Sequence, residues 1–226
     1  MKIAGIRTFS LVDYPGKPCA VVFTAGCNFR CPWCHNWEIA YGDRRDYDMK
    51  EQALKILRKL RKRLDAVCVT GGEPTIHNDL PELLTLLKGL GYSIKLDTNG
   101  SNPKMVEDVI NRKLVDYVAL DLKAKPESYP EITGVRYNYW CEVMKTAFIL
   151  RESGIKYEYR MTYVPGLSDE KDLIFLSEFL REDERLFVVV ANPTERFKPH
   201  GHVPKVNFRN VVWRYEDLSL NEEGKC

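Results

Sequence analysis

The chain has 226 residues, 44% apolar and 29% charged, an ordinary globular balance with enough apolar material for a sizeable core. Its formal net charge of +2 gives no electrostatic reason to expect nucleic acid or an anionic membrane as the main partner. No stretch has the length and apolarity of a bilayer span or an export signal, so the cytoplasm is the expected location, where its seven cysteines stay reduced.

Short β-branched runs alternate with longer amphipathic stretches along the chain. The first predicted strand is CAVVFTA (19–25), followed by a loop rich in cysteine. A helix near 50–64 places Ala53, Leu57, Leu60 and Leu64 on one face, and AVCVTG (66–71) follows as a strand. The next helix, near 79–90, aligns Leu80, Leu83, Leu84 and Leu87. Strands at YSIKLDTN (92–99), DYVALDLK (116–123), KYEYRMTYV (156–164) and LFVVVAN (186–192) alternate with helices near 103–113, 139–153 and 169–182. The basic run KILRKLRKRL (55–64) reads as the solvated face of its helix, because no aromatics are interleaved for base stacking.

Strand–helix alternation over six strands predicts a parallel α/β sheet with right-handed crossovers. A full eight-unit barrel takes about 250 residues, so the favoured closed form is a partial (β/α)6 TIM-like barrel with outer helices. Periodicity alone leaves a doubly wound open sheet standing beside it. Polar residues gather where the strands end: Gly71-Gly72-Glu73-Pro74, Asp97-Thr98-Asn99-Gly100, and Asp121 with Lys123, while Arg160 lies within the fifth strand. In parallel folds ligands sit at that edge, and the cysteine loop follows the first strand onto the same rim.

Cys27, Cys31 and Cys34 fall in FTAGCNFRCPWCHN (23–36), spaced for one short loop to curl around a metal centre. Thiolate sets select zinc, copper(I) or an iron–sulfur cluster. A [4Fe–4S] cube held by three cysteines leaves one iron open to an outside chelator. The alternative is zinc completed by His35, which is disfavoured because His35 directly follows Cys34. Cys19, Cys68 and Cys141 stand alone in apolar stretches and read as small buried side chains, and Cys226 as a free terminal thiol.

CNFRCPWC, with Trp33 before the third cysteine, resembles the cysteine loop of the radical S-adenosylmethionine enzymes, and GGEP, LDTNG and DLK fall where that superfamily contacts its cofactor. Taken with DYPGKPCAVVFTAGCNFRCPWCHN, VTGGEPTIHNDLPELL, VDYVALDLKAKPESYPEITG and YRMTYVPGLSD, the chain resembles the branch that activates glycyl radical enzymes. Within it, the nearest likeness is to the activating proteins of anaerobic ribonucleoside-triphosphate reductase, then of pyruvate formate-lyase. The resemblance runs from about residue 6 to 192, implying one catalytic domain with 193–226 as a C-terminal extension.

The resemblance implies that Cys27, Cys31 and Cys34 hold the cube and S-adenosylmethionine chelates its fourth iron. Reductive cleavage would then give a 5′-deoxyadenosyl radical that abstracts hydrogen. It further implies cofactor contacts from Trp33 to the adenine, from Gly71, Gly72 and Glu73 to the ammonium, and from Lys123 and Arg160 to the carboxylate. Asp97 and Asp121 match positions around a monovalent cation, and Asn99 is a weaker candidate that shapes the turn before Gly100. His35 and Asn36 would donate toward sulfurs or nearby carbonyls. His77 reads as a helix-start residue, and His200 or His202 are the only late histidines for a ribose contact. The implied partners are a glycyl radical enzyme and an electron donor such as flavodoxin or ferredoxin. Competing readings are a small-molecule or RNA-modifying enzyme such as a 7-carboxy-7-deazaguanine synthase, and a non-enzymatic iron–sulfur or zinc binding module.

Overall fold

The β-branched runs do form strands. In the computed structural model, which describes residues 1–42, 47–204 and 208–214, they join one sheet. Its strands are β1 (Ile3–Ser10), β2 (Cys19–Thr24), β3 (Ala66–Gly71), β4 (Ser93–Thr98), β5 (Tyr117–Asp121), β6 (Lys156–Tyr163), β7 (Leu186–Val190) and β8 (Val211–Trp213). The helices between them are α1 (Trp37–Tyr41), α2 (Lys50–Leu60), α3 (Leu80–Gly89), α4 (Pro103–Asn111), α5 (Tyr129–Thr133), α6 (Trp140–Ser153) and α7 (Glu170–Phe179).

The strands lie in sequence order from β1 to β8, and every neighbouring pair is parallel except β1 with β2. A doubly wound sheet reverses its strand order at a switch point. None occurs here, so successive right-handed crossovers curl the sheet in one direction, which decides for the partial barrel. Two strands go beyond the predicted six. β1 is an antiparallel edge strand, and β8 draws the C-terminal extension onto β7. No ladder joins β1 to β8 among the described residues, so the barrel is open along a seam between them.

Alternation along the strands gives the sheet two unlike faces. In β4, Ile94 and Leu96 point outward to the helices, where Leu80, Leu83, Leu84 and Leu87 of α3 join them in the main core. Each such aliphatic side chain contributes about 1.5–3 kcal/mol on full burial. Lys95 and Asp97 point the other way, into the barrel, as do Glu158 and Arg160 of β6. At the lower end of this inner face, Tyr14, Cys19, Val21, Ala66 and Cys68 form a separate small apolar cluster. Tyr14, from the turn after β1, stands 6.0 Å from the Tyr117 ring.

Helix ends follow their local chemistry. α7 begins with a capping box in which Asp169 accepts from Asp172 N–H and the Asp172 carboxylate accepts from Asp169 N–H. Asp172 also accepts from the backbone of Lys125, fastening the loop after β5 to α7. Cys19 and Cys68 are fully buried as expected. Cys141 is exposed, contrary to expectation, because it occupies the solvent side of α6 while Val143 and Ala147 take the core side. Cys226 lies outside the described residues.

Candidate functional site

The cysteine loop is held from behind. Phe29 is buried, with its ring 5.1 Å from that of Tyr139. Arg30 N–H donates to Thr133 O (2.8 Å), and the Trp33 indole N–H donates to Ile132 O (3.1 Å). The Tyr41 hydroxyl donates to Cys31 O at 2.7 Å. These ties leave the three sulfurs facing the barrel interior, where Phe29 N–H donates to Cys27 Sγ (3.3 Å) and Asn36 N–H to Cys34 Sγ. Asn99 Nδ2 approaches Cys27 Sγ at 3.9 Å.

The GGEP turn locks directly against this loop. Gly72 N–H donates to Thr24 O and Glu73 N–H to Gly26 O, both at 2.8 Å. A Cβ on Gly72 would lie 1.9 Å from Gly26 O, and one on Gly71, whose φ is +113°, 2.5 Å from Thr24 N. The glycines are therefore required by the protein's own backbone before any ligand is considered. Glu73 is buried and nearly saturated: Oε1 accepts from Thr75 N–H, Thr75 Oγ1 and Thr98 Oγ1, and Oε2 accepts from Asn99 N–H at 2.6 Å. Its carboxylate thus ties the GGEP turn to the TNG turn. Asn99 Oδ1 in turn accepts from Ser101 N–H, the local turn bond expected of this residue.

Charges line the barrel floor. Arg160 bridges two strand ends, with Nη1 to Asp97 Oδ2 and Nη2 to Asp121 Oδ1, both at 3.0 Å. Lys95 meets Asp97 at 2.5 Å, Arg214 meets Glu158 at 3.0 Å, and Lys123 stands 3.7 Å from Asp121 and 5.1 Å from the Trp33 ring centroid. In this lattice Lys95, Lys123, Arg160 and Arg214 face Asp97, Asp121 and Glu158, leaving one positive charge in excess. Burial opposes ionisation of Lys123, but Asp121 and the nearby thiols outweigh it and raise its pKa. The positive charge between Asp97 and Asp121 is supplied by Arg160 itself.

The twelve residues expected to hold the cluster or contact the cofactor all line one cavity of about 840 Å³. His35 and Asn36 line it too, and Asn36 Nδ2 donates to Gly71 O at 3.3 Å. His77 ends the short turn Pro74–Ile76, with its ring Nε2 2.9 Å from Ala25 O, so it braces the cysteine loop. His200 packs on Gly166, and neither it nor His202 lines the cavity. Sequence reasoning missed the turn after β1 (Leu11–Pro15) and Arg214, which also line it. The quoted DYPGK motif was the available signal for the turn, whereas Arg214 had none.

Burial pushes the Cys27 thiol up to about 12 and the Cys31 thiol to about 11, and raises Cys34 as well. Metal loading must therefore expel protons from all three. Among the described residues no three His, Cys, Asp or Glu side chains converge as the ligands of a single ion must. Three thiols on one loop, each free to meet a different metal atom and supported by N–H donors, suit a cube.

The Radical SAM superfamily profile matches residues 21–176. A Methanocaldococcus jannaschii protein named as a glycyl-radical enzyme activating enzyme is 31% identical over 86% of this chain and 82% of its own. The pyruvate formate-lyase-activating enzyme of Clostridium pasteurianum is 32% identical over 76% of this chain and 73% of its own. Among solved structures, Streptococcus suis SuiB bound to S-adenosylmethionine superposes with a TM-score of 0.61 at 21% identity, covering 85% of this chain and 42% of that one. The enzyme anSMEcpe with bound S-adenosylmethionine superposes at 0.57 and 17% identity, covering 82% and 53%. These neighbours share the partial barrel. The chain belongs to the radical SAM superfamily and is a relative of the glycyl-radical enzyme activating enzymes.

Proposed function

We propose that this chain binds a [4Fe–4S] cluster through Cys27, Cys31 and Cys34 together with S-adenosylmethionine, and takes hydrogen from a glycine of a glycyl radical enzyme. The observation that carries the reading is convergence. The cysteine loop, the GGEP and TNG turns and the cationic floor line one cavity. Bound together, cluster and cofactor supply reductive cleavage of the sulfonium bond and thereby a strong hydrogen-atom acceptor.

The chain's own residues supply position and charge. The N–H groups of Phe29 and Asn36 and the Asn99 amide favour negative sulfur. Lys123 and Arg160 offer charge-assisted hydrogen bonds to the methionine carboxylate, and Trp33 offers a flat apolar wall to the adenine. Glu73 acts chiefly by holding the two turns that face the cofactor. The open seam gives a protein segment lateral access, and the exposed apolar side chains of Phe9, Leu11 and Val12 lie at the β1 end of it.

The electron comes from a carrier such as flavodoxin or ferredoxin, and residues 6–192 form the catalytic core. No helix among the described residues is long and apolar enough to cross a membrane, which agrees with a place in the cytoplasm. The test is anaerobic reconstitution, photoreduction with 5-deazaflavin, and assay for 5′-deoxyadenosine. Electron paramagnetic resonance then follows, with candidate glycyl radical proteins added. Four irons per chain, 5′-deoxyadenosine and a glycyl doublet are expected. A reduced four-iron cluster that leaves S-adenosylmethionine intact would overturn the reading.

A further inference from the structure

We infer that Arg30 and Arg196, laid on Tyr41 and Trp37 just outside the cysteine loop, form the docking plate for a small acidic protein that carries one electron. The inference rests on the cluster reading above and names the surface through which the cluster is reduced. Arg30 lies between two of the cysteines and is exposed, with Nη1 donating to Cys27 O (2.6 Å) and Phe29 O (2.7 Å). Its guanidinium carbon stands 5.4 Å from the Tyr41 ring centroid. That of Arg196, also exposed, stands 5.5 Å from Tyr41 and 4.9 Å from Trp37. Two cations from segments far apart in sequence thus share one aromatic ring.

Among the described residues no carboxylate lies within ion-pair distance of either guanidinium. Arg30 is held by one ring face and two carbonyls and Arg196 by two ring faces, which leaves their charge available to a partner. Exposed Lys198 follows in the same segment, whose one acid is Glu195, and exposed Glu38 stands on α1 between Trp37 and Tyr41.

Location selects the partner. None of Arg30, Trp37, Tyr41 and Arg196 lines the cavity. A molecule that gives up hydrogen has to enter the cavity, whereas an electron donor needs only to approach the sulfurs from behind. The Tyr41 hydroxyl donates to the carbonyl of Cys31, so the ring beneath the plate is one hydrogen bond from a cluster ligand. The carrier is oxidised by one electron and the cluster reduced by one, and no bond or proton changes hands. An acidic face meeting this plate gains association rate from charge steering and gives binding that weakens with salt.

The test measures affinity of the reconstituted holoenzyme for flavodoxin and for a ferredoxin by titration calorimetry at low and high salt. Arg196→Glu should weaken binding at least tenfold at low salt and flatten the salt dependence, while Arg196→Lys, which keeps the charge, should lose less than threefold. Lys198→Glu, two residues along the chain from Arg196, should fall between. In Arg196→Glu, formation of 5′-deoxyadenosine driven by photoreduced 5-deazaflavin should stay within twofold of wild type. Unchanged carrier affinity in Arg196→Glu overturns the inference, as does a wild-type chain that binds neither carrier. Failure of the 5-deazaflavin assay in wild type would instead strike the proposed function.

Discussion

Glu73 N–H donates to Gly26 O over 2.8 Å, and that contact joins the turn after β3 to the residue just before Cys27, the first cysteine of the loop. The neighbouring Gly72 has no room for a side chain, since its Cβ would meet the same oxygen at 1.9 Å. Gly72→Ala must therefore push two loops apart, at a cost of about 1–3 kcal/mol for overpacking. Iron content after reconstitution should fall well below four per chain, and the urea midpoint should drop.

Cys31→Ala separates chemistry from folding. The thiol is nearly buried at 7% exposure but belongs to a loop held by Tyr41, Trp33 and Phe29. Stability of the metal-free chain should change by about 1 kcal/mol, within the usual range for one substitution. Formation of 5′-deoxyadenosine should fall to background. Retained cleavage would show that the cluster is held elsewhere.

Acid should strip a specific contribution from the barrel floor. Burial alone would raise the Asp97 carboxyl, but Arg160 and then Lys95 overcome it and hold it down to about 2. A depressed carboxyl stabilises the fold above its unfolded value and loses that contribution as pH falls through the folded one. Between about pH 4 and pH 2 this group should cost the fold on the order of 2 kcal/mol. Urea unfolding at stepped pH should show that loss in wild type and a flatter profile in Asp97→Asn. The variant should also be about 3–5 kcal/mol less stable at pH 7, because Lys95 and Arg160 lose a buried partner.

A control lies away from the cavity. Glu184 accepts from Arg151 Nε (2.7 Å) and Nη2 (2.6 Å), from Tyr157 Oη (2.7 Å), and from Arg181 N–H (2.8 Å). Glu184→Gln strands the buried Arg151 charge and should cost about 3–5 kcal/mol. S-adenosylmethionine affinity, measured below the new melting temperature, should stay at the wild-type level. A fall in that affinity would mean that this lattice also shapes the site.

The strands β2 to β7 were legible because each carries buried β-branched residues between clear helical stretches. β1 was not. Only Ile3 and Ser10 of its eight residues are buried, so an edge strand with exposed Arg7, Thr8 and Phe9 shows no apolar pattern. β8 is three residues long, too short for any period to register. The site residues were visible as a list, since strand ends and a cysteine loop must share a rim in a parallel fold. Their mutual commitments were visible only in part. Arg160 reads from sequence as a cation for a ligand carboxylate or an ion pair with Asp121, and the curl of the sheet adds Asp97 as a second partner. Likewise nothing local announces that Arg196 will lie on the ring of Tyr41.

Tyr14 closes the barrel from below. It is 5% exposed, and with Cys19, Cys68 and Tyr117 it stoppers the lower end of the inner face. Under the proposed function, traffic through the barrel would run last in, first out. A small guest seated beneath the cysteines would have to arrive before any protein segment filled the seam, and its fragments would stay behind until that segment withdrew. Turnover on a protein guest would be paced by the parting of two macromolecules, while the same vessel left uncapped would empty as fast as its contents diffuse.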